Sequence, residues 1–322
     1  DYLKYGFWDD DGFVWHKFAT TTVTFNITAL TTAGQALAQA ALDLWSLASG
    51  LTFSVTTDPA QITFDDLAGG AYTEVSVSGN TTTSATVNIS TSWLSAYGST
   101  IGSYGFQTYL HEIGHALGLG HAGYYNGSAV WAPDGTGDNH YLNDSWQATV
   151  MSYFDQDENT AVNATQAYVV GPMIADLIAI QSLYMGTPAV YSGDTVWGFN
   201  SNTHAAYDFA NYVQGAMVAF AINDLGGHDT LDASGFSANQ LIDLRAGSYS
   251  NIGGEIGNIG LAAYSLIEDA IGGSGNDTLY GNYADNVLDG GAGGDTMYGG
   301  GGNDTYYVDN VGDSVVENDG EG

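Results

Sequence analysis

A glutamate and three histidines stand close together in the run His111-Glu112-Ile113-Gly114-His115-Ala116-Leu117-Gly118-Leu119-Gly120-His121. On a helix, residues i and i+4 share a face, so His111 and His115 can aim both imidazoles at one ion. Glu112 follows the first of them and projects beside that ion, near where bound water would sit. Gly118 lets the chain turn sharply and return His121 as a third ligand. Three protein nitrogens with one open position make a catalytic rather than a structural zinc site. Zinc lowers the pKa of bound water towards ~7. Glu112 can take the proton as that water attacks a carbonyl, then pass it to a leaving amine. The bland alternative, three unrelated helix-surface histidines, would require five fixed positions in eleven residues to coincide. His16, His140, His204 and His228 lack this spacing and are expected at the surface or in loops.

Positioning such a site takes a helix and a sharp exit from it. Phe106, Leu110, Ile113 and Leu117 form one apolar stripe, predicting a helix from Gly105 to Leu119 that Gly118 and Gly120 end. Residues 19–28 alternate apolar and polar side chains and are expected to form a strand. A helix is expected over 32–48, with Ala36, Leu37, Ala40, Leu44 and Leu47 at helical spacing. Shorter strands are expected at Thr52–Val55, Gln61–Phe64 and Ala85–Ile89. Residues 122–150, rich in Gly, Asn, Asp and Trp, predict an irregular excursion. A last helix is expected over Gly171–Leu183, with Pro172 near its first turn. Helical periodicity then disappears, placing a domain boundary near residue 187.

Beyond that boundary the chain repeats. Gly272, Gly281, Gly290 and Gly299 are spaced nine apart, and each opens a Gly-Gly-x-Gly-x-Asp-like turn before a short apolar strand. Clear copies span Gly272–Asp277, Gly290–Asp295 and Gly299–Asp304; the copy at Gly281 is degenerate, with Asp285 and Asn286 at its end. Leu279, Leu288 and Met297 keep a fixed phase. This is the nonapeptide pattern of a calcium-binding parallel β-roll, in which turn carbonyls and aspartates enclose calcium. A flexible glycine-rich linker would not hold so strict a period. Asp9-Asp10-Asp11-Gly12 lacks the later glutamate of an EF-hand and is expected to be an exposed turn.

Composition limits the partners. Lys4, Lys17 and Arg245 are the three basic residues against 36 acidic ones. Nothing is available to neutralise phosphates, so nucleic acid is excluded, and an anionic membrane surface is disfavoured. Seventeen acids precede residue 190 and nineteen follow it. Part of the second group is assigned to calcium, most of the first to solvation. There is no cysteine, which removes disulfides, Cys-ligated metals and thiol catalysis. No run of about 18 apolar residues exists to span a membrane. The chain opens at Asp1 without an initiator methionine or a basic, apolar leader, so a processed form is expected.

With these residues in view a family is visible. The extended zinc motif resembles the metzincins, and Thr149-Val150-Met151-Ser152-Tyr153 looks like their Met-turn. A Met-Ser-Tyr turn is similar to that of the serralysins, which also carry a C-terminal calcium β-roll. Gly193-Asp194-Thr195-Val196-Trp197-Gly198-Phe199-Asn200 and Ile271-Gly272-Gly273-Ser274-Gly275-Asn276-Asp277 are further similar segments, and the resemblance runs from about residue 20 to about residue 310. It implies an α+β fold: a metzincin catalytic domain over 1–186, with a twisted mixed sheet and helices, followed by an all-β parallel β-roll over 187–322. Met151 would form a hydrophobic base under the zinc. Tyr153 would be an additional zinc ligand that swings away to stabilise the oxyanion.

The resemblance also implies calcium ligands. Tyr191, Gly193 and Thr195 would offer carbonyls, with Asp224, Gly226 and Asp229 completing that site. Gly227, Asp229, Leu266 and Glu268 resemble a second site. Gly272, Ser274, Asp277, Gly290, Ala292, Asp295, Gly299, Gly301 and Asp304 would serve the roll. The implied protein is a secreted, extracellular bacterial endopeptidase with one zinc and several calcium ions. It would be a monomer acting on protein or peptide substrates, open to a proteinaceous inhibitor, and exported in one step without a cleaved N-terminal signal peptide. The family usually has Pro after the third histidine, where this chain has Ala122. It also continues past the equivalent of Gly322 with more roll and an export signal, so a trimmed or shortened form is expected. The competing reading is a calcium-binding adhesin or matrix protein carrying a dead peptidase-like domain.

Overall fold

A computed structural model describes residues 1–10, 12, 14–184, 191–212 and 218–317. The chain divides into two compact units, Asp1–Val162 with Tyr168–Pro188, and Asn163–Ala167 with Ala189–Gly322. The boundary expected near residue 187 lies outside the described residues. Residues 163–167, expected in the first part, group with the second unit; Thr165 accounts for this, its amide and hydroxyl bonding Ile256 and Glu255.

The first unit opens with a π-helical turn, Tyr2–Gly6, running into the short helix α1, Phe7–Asp10. Then follow β1 (Thr22–Asn26), α2 (Thr32–Ser49), β2 (Thr52–Val55), β3 (Ile62–Asp65), β4 (Ala71–Ser78), β5 (Thr81–Ile89), α3 (Thr91–Tyr97), α4 (Tyr104–Ala116), β6 (Tyr168–Val169) and α5 (Ile174–Tyr184). The sheet has the order β2-β1-β3-β5-β4, parallel except for β4 against β5. Its apolar residues Val23, Phe25, Ile62, Phe64 and Val87 are all buried. Helix caps are local: Thr31, Ser90 and Ser103 each accept from the amide three residues on, and Gly50 closes α2 at φ +74°. Trp45, fully buried on α2, donates from its indole to the Leu110 carbonyl and ties α2 to α4.

Strand β4 was not anticipated, although Val75 and Val77 alternate with polar residues and Gly79-Asn80 is a two-residue hairpin turn. It is an edge strand, paired among the described residues only on its β5 side. Residues 122–150 contain neither helix nor strand. Of the acidic N-terminal run, Asp9 and Asp10 are exposed and end α1, while Asp11 lies outside the described residues. Among the described residues no helix is long and apolar enough to cross a membrane.

The second unit is built from short strands: β7 (Val196–Gly198), β8 (Val218–Ile222), β9 (Thr230–Asp232), β10 (Leu241–Asp243), β11 (Tyr249–Ser250), β12 (Ile259–Leu261), β13 (Asp269–Gly273), β14 (Thr278–Tyr280), β15 (Val287–Gly291), β16 (Thr296–Tyr298), β17 (Thr305–Tyr307) and β18 (Ser314–Val316). Two parallel sheets take alternate strands, in the orders β17-β15-β13-β9-β7 and β10-β14-β16-β18. Partners in the C-terminal part lie eighteen residues apart: Leu279 pairs with Met297 and Ala270 with Leu288. The nine-residue sequence period is therefore half a coil, and each coil contributes one strand to each sheet. Ala270, Leu279, Leu288 and Met297 fill the space between with no exposure.

Candidate metal centres

Helix α4 carries His111 and His115 one turn apart and stops at Ala116. Gly118 then takes φ +101°, a left-handed conformation that favours glycine. A side chain there would also run into the His16 carbonyl. The turn delivers His121. The three Nε2 atoms end 3.0, 3.1 and 3.3 Å from one another.

Those distances are informative because of where the protons are. Nδ1 of His111 lies 2.9 Å from the Val150 carbonyl and Nδ1 of His115 lies 2.8 Å from that of Leu119. A carbonyl only accepts, so each Nδ1 must donate, and each Nε2 is left with a lone pair. Burial pushes His111 down to about 4, His115 to about 3, and His121 well below its ordinary value, so none is charged near neutrality. Crowded lone pairs call for a cation between them. Nitrogens at 2.0–2.1 Å from a tetrahedral zinc stand about 3.3 Å apart. The donor set therefore fits zinc, and these three residues form the one such cluster of metal-ligating His, Cys, Asp or Glu among the described residues.

Glu112 is buried beside them. Burial raises its carboxyl to about 7, and the Thr73 hydroxyl on β4 lies 2.8 Å from both its carboxylate and its backbone carbonyl. Met151 packs under the helix, where a side chain on Gly114 would meet its sulfur; that close approach explains the glycine inside the motif. Tyr153 sets its ring 4.5 Å from His121 and 5.9 Å from His111, and its hydroxyl accepts from the Gly127 amide at 3.4 Å.

Sequence reasoning missed much of the support. Asp176, fully buried on α5, accepts from the Thr149 hydroxyl and from the Val150 and Met173 amides, and so holds the turn whose carbonyl orients His111. Burial raises it to about 6. A lone Asp in the apolar run Met173–Ile180 is the signal that could have found it. Tyr125 stacks on His121 at 5.3 Å and hydrogen-bonds both oxygens of buried Asp144. Phe7 packs edge-on against His121 at 4.9 Å, and the Trp8 indole donates to the Gly118 carbonyl. His16, expected at the surface or in a loop, lies in a loop but is 1% exposed, under Trp8 with Nδ1 2.9 Å from the Thr82 hydroxyl. Its burial follows from the Gly118 turn, which packs against its carbonyl. His140 stacks on Tyr2, His204 caps the turn Ala205–Tyr207, and exposed His228 meets Asp269 at 3.1 Å.

In the second unit the carboxylates also gather. Asp224 and Asp229 both accept from Thr195, and Glu268 accepts from the Asp229 amide. Gly227 lies against the backbone of Gly193, too close for a side chain. Tyr191, at φ +53°, gives its carbonyl to the Leu225 amide. Gly226 donates to Asp224, while Leu266 lies just before Glu268. In the repeats, each carboxylate folds back over the glycine five residues before it: Asp277 over Gly272, Asp295 over Gly290, Asp304 over Gly299. A side chain on any of these glycines would collide with that carboxylate. Each also accepts from the backbone one coil away: Asp295 from the Asp277 amide, Asp304 from the Asn286 amide, and Asp313, unanticipated, from the Asp295 amide. Gly301 bonds to the Asn282 carbonyl and Ala292 to that of Gly273; Ser274 donates to the Phe236 carbonyl. One carboxylate oxygen of Asp229 and one of Asp295 are buried without a hydrogen-bond donor.

Comparison with known proteins fits both units. A family model described as Peptidase M10 serralysin C terminal matches residues 188–320. A serralysin of Photorhabdus laumondii is 36% identical over 302 residues, 89% of this chain and 60% of that protein. Over 89% of its length the chain is similar to a serralysin-type metzincin. A serralysin of Proteus mirabilis is 46% identical over 188 residues, 58% of this chain and 38% of its own length. Serralysin C of Dickeya chrysanthemi is 47% identical over 176 residues, covering 55% and 36%. The chain thus spans about 60% or less of the length of these relatives.

The Asp176 network makes a testable demand. Asp176→Ala would strand two amides and a hydroxyl, at about 1–3 kcal/mol each when buried. Urea unfolding of the metal-free chain should show a midpoint markedly lower than that of the wild type, and zinc affinity should fall with it.

Proposed function

We propose that this chain is a zinc-dependent endopeptidase acting on extracellular proteins, attached to a calcium-binding parallel β-roll. One observation carries the first half: three imidazoles, two half-buried and one buried, bring their Nε2 atoms within 3.3 Å of one another beside a buried carboxylate. Zinc held by His111, His115 and His121 would supply Lewis acidity to water and to the scissile carbonyl. Glu112 accepts the water proton and returns it to the leaving amine. Burial raises its carboxyl, which favours its taking up a proton, while a neighbouring cation would draw it back down, so that it can move a proton in both directions. Thr73 holds that carboxylate in place. Tyr153 stands close enough to serve as a further ligand or to donate to the oxyanion.

Substrate orientation has a physical basis as well. A cleft of about 620 Å³ runs past the histidines along residues 71–76 of β4. The open edge of β4 carries unpaired backbone groups, so an extended peptide can add as another strand. Such main-chain pairing recognises polypeptide irrespective of sequence. The family relation supports secretion, one-step export without a cleaved N-terminal signal peptide, a monomeric state and a proteinaceous inhibitor as a partner. The roll reading rests on the half-coil register and on the donor-less carboxylate oxygens of Asp229 and Asp295, which hard cations suit.

Zinc-loaded chain should hydrolyse casein, and Glu112→Ala should lower kcat/KM by roughly 10²–10⁴-fold, the span of general-base catalysis. Intact casein with stoichiometric zinc bound would instead favour the non-catalytic, calcium-binding adhesin. Calcium removal with a selective chelator should lower the thermal midpoint of the second unit by roughly 5–10 °C. An unchanged midpoint would remove calcium from the account.

A further inference from the structure

Beside Glu112 and His111 opens a second cavity, about 480 Å³, that the proposed hydrolysis leaves unused. Its wall is aromatic: Tyr104 and Trp146 stack at 5.5 Å, and Trp93 lies 6.2 Å from Tyr104. Both indole N–H groups are engaged, Trp93 with the Thr108 hydroxyl and Trp146 with the Ser152 carbonyl, each at 3.0 Å. The rings are therefore held in place rather than free to fill the space. Glu158 also lines this cavity, largely exposed; partial desolvation, and then the nearby Asp155, raise its carboxyl. None of the three basic residues of the chain lines it.

An aromatic slot bordered by a carboxylate suits a side chain with an apolar stem and a cationic head. The stem lies along the rings, the cation sits over an aromatic face, and the charge meets Glu158. An acidic side chain would face Glu158 with no basic side chain lining the cavity to offset it. Chemistry also fixes which substrate residue arrives here. Glu112, which lines both the cleft along β4 and this cavity, hands its proton to the leaving nitrogen, so the residue that owns this nitrogen stands at the mouth of the cavity. We propose that this cavity receives the side chain of the residue following the scissile bond and selects arginine or lysine there, with Glu158 as the specificity-determining carboxylate. The inference rests on the peptidase reading above and extends it to a substrate class.

The test is cleavage profiling of a randomised peptide library by zinc-loaded wild type and Glu158→Gln, with binding measured in parallel. Exposure and salt screening keep the expected selectivity moderate, about 5–10-fold for Arg or Lys over Glu at that position in low salt. It should shrink at least threefold in Glu158→Gln and on adding salt, acting through KM, while peptides with leucine there are cleaved equally by both. A preference for leucine or phenylalanine over arginine, or a basic preference that Glu158→Gln leaves intact, overturns the proposal. Calorimetric binding of matched Arg and Glu peptides to zinc-loaded Glu112→Ala judges the cavity even if casein is never cleaved. Tighter binding of the Arg peptide, abolished by adding Glu158→Gln, supports it; equal binding overturns it.

Discussion

Three imidazole nitrogens held within 3.3 Å of one another, at least two of them with lone pairs facing inward, call for a cation between them. Much of the first unit is arranged to keep them there. Carbonyls of Val150 and Leu119 fix two tautomers, Asp176 holds the turn that presents Val150, and Met151 fills the space beneath Gly114. Gly118 makes the bend that returns His121, with the His16 carbonyl pressed against it. Removing water and charge from these imidazoles keeps them neutral and thus able to ligate. The same burial raises Glu112 towards the pH at which a base must also act as an acid.

The second unit solves a different problem with a related device. Its carboxylates are packed over glycines that leave just enough room, and they accept backbone amides one coil away. Those hydrogen bonds order the coil, yet Asp229 and Asp295 retain a buried oxygen with no donor. In a chain with three basic residues, side chains cannot supply the missing positive charge. A bound divalent cation can, and the extreme acidity of the sequence then becomes a structural requirement as well as a solvation feature.

What could be read from the sequence follows from the range of the interactions. Helix α4, its capping Ser103 and the Gly118 exit are local, and periodicity with residue type announces them. The nonapeptide glycines are equally local, although the period of nine concealed an eighteen-residue coil that alternates between two sheets. Thr73, Asp144 and Asp176 reach the site from distant points in the chain, and no spacing rule links them to His111. Strand β4 had a readable hairpin signal in Gly79-Asn80 that was passed over. His16 is in a loop as expected, and its burial comes from a long-range contact that spacing does not reveal, the Gly118 turn packed on it.

The central claim is that the three histidines were brought together for one tetrahedral zinc. X-ray absorption at the zinc edge of the purified chain, loaded with one equivalent of zinc and with calcium in excess, tests it most directly. The expected first shell is three imidazole nitrogens at about 2.0–2.1 Å with one or two oxygens, and His115→Ala should abolish it. An all-oxygen, six-coordinate shell that survives His115→Ala would place the zinc among the carboxylates and contradict the account.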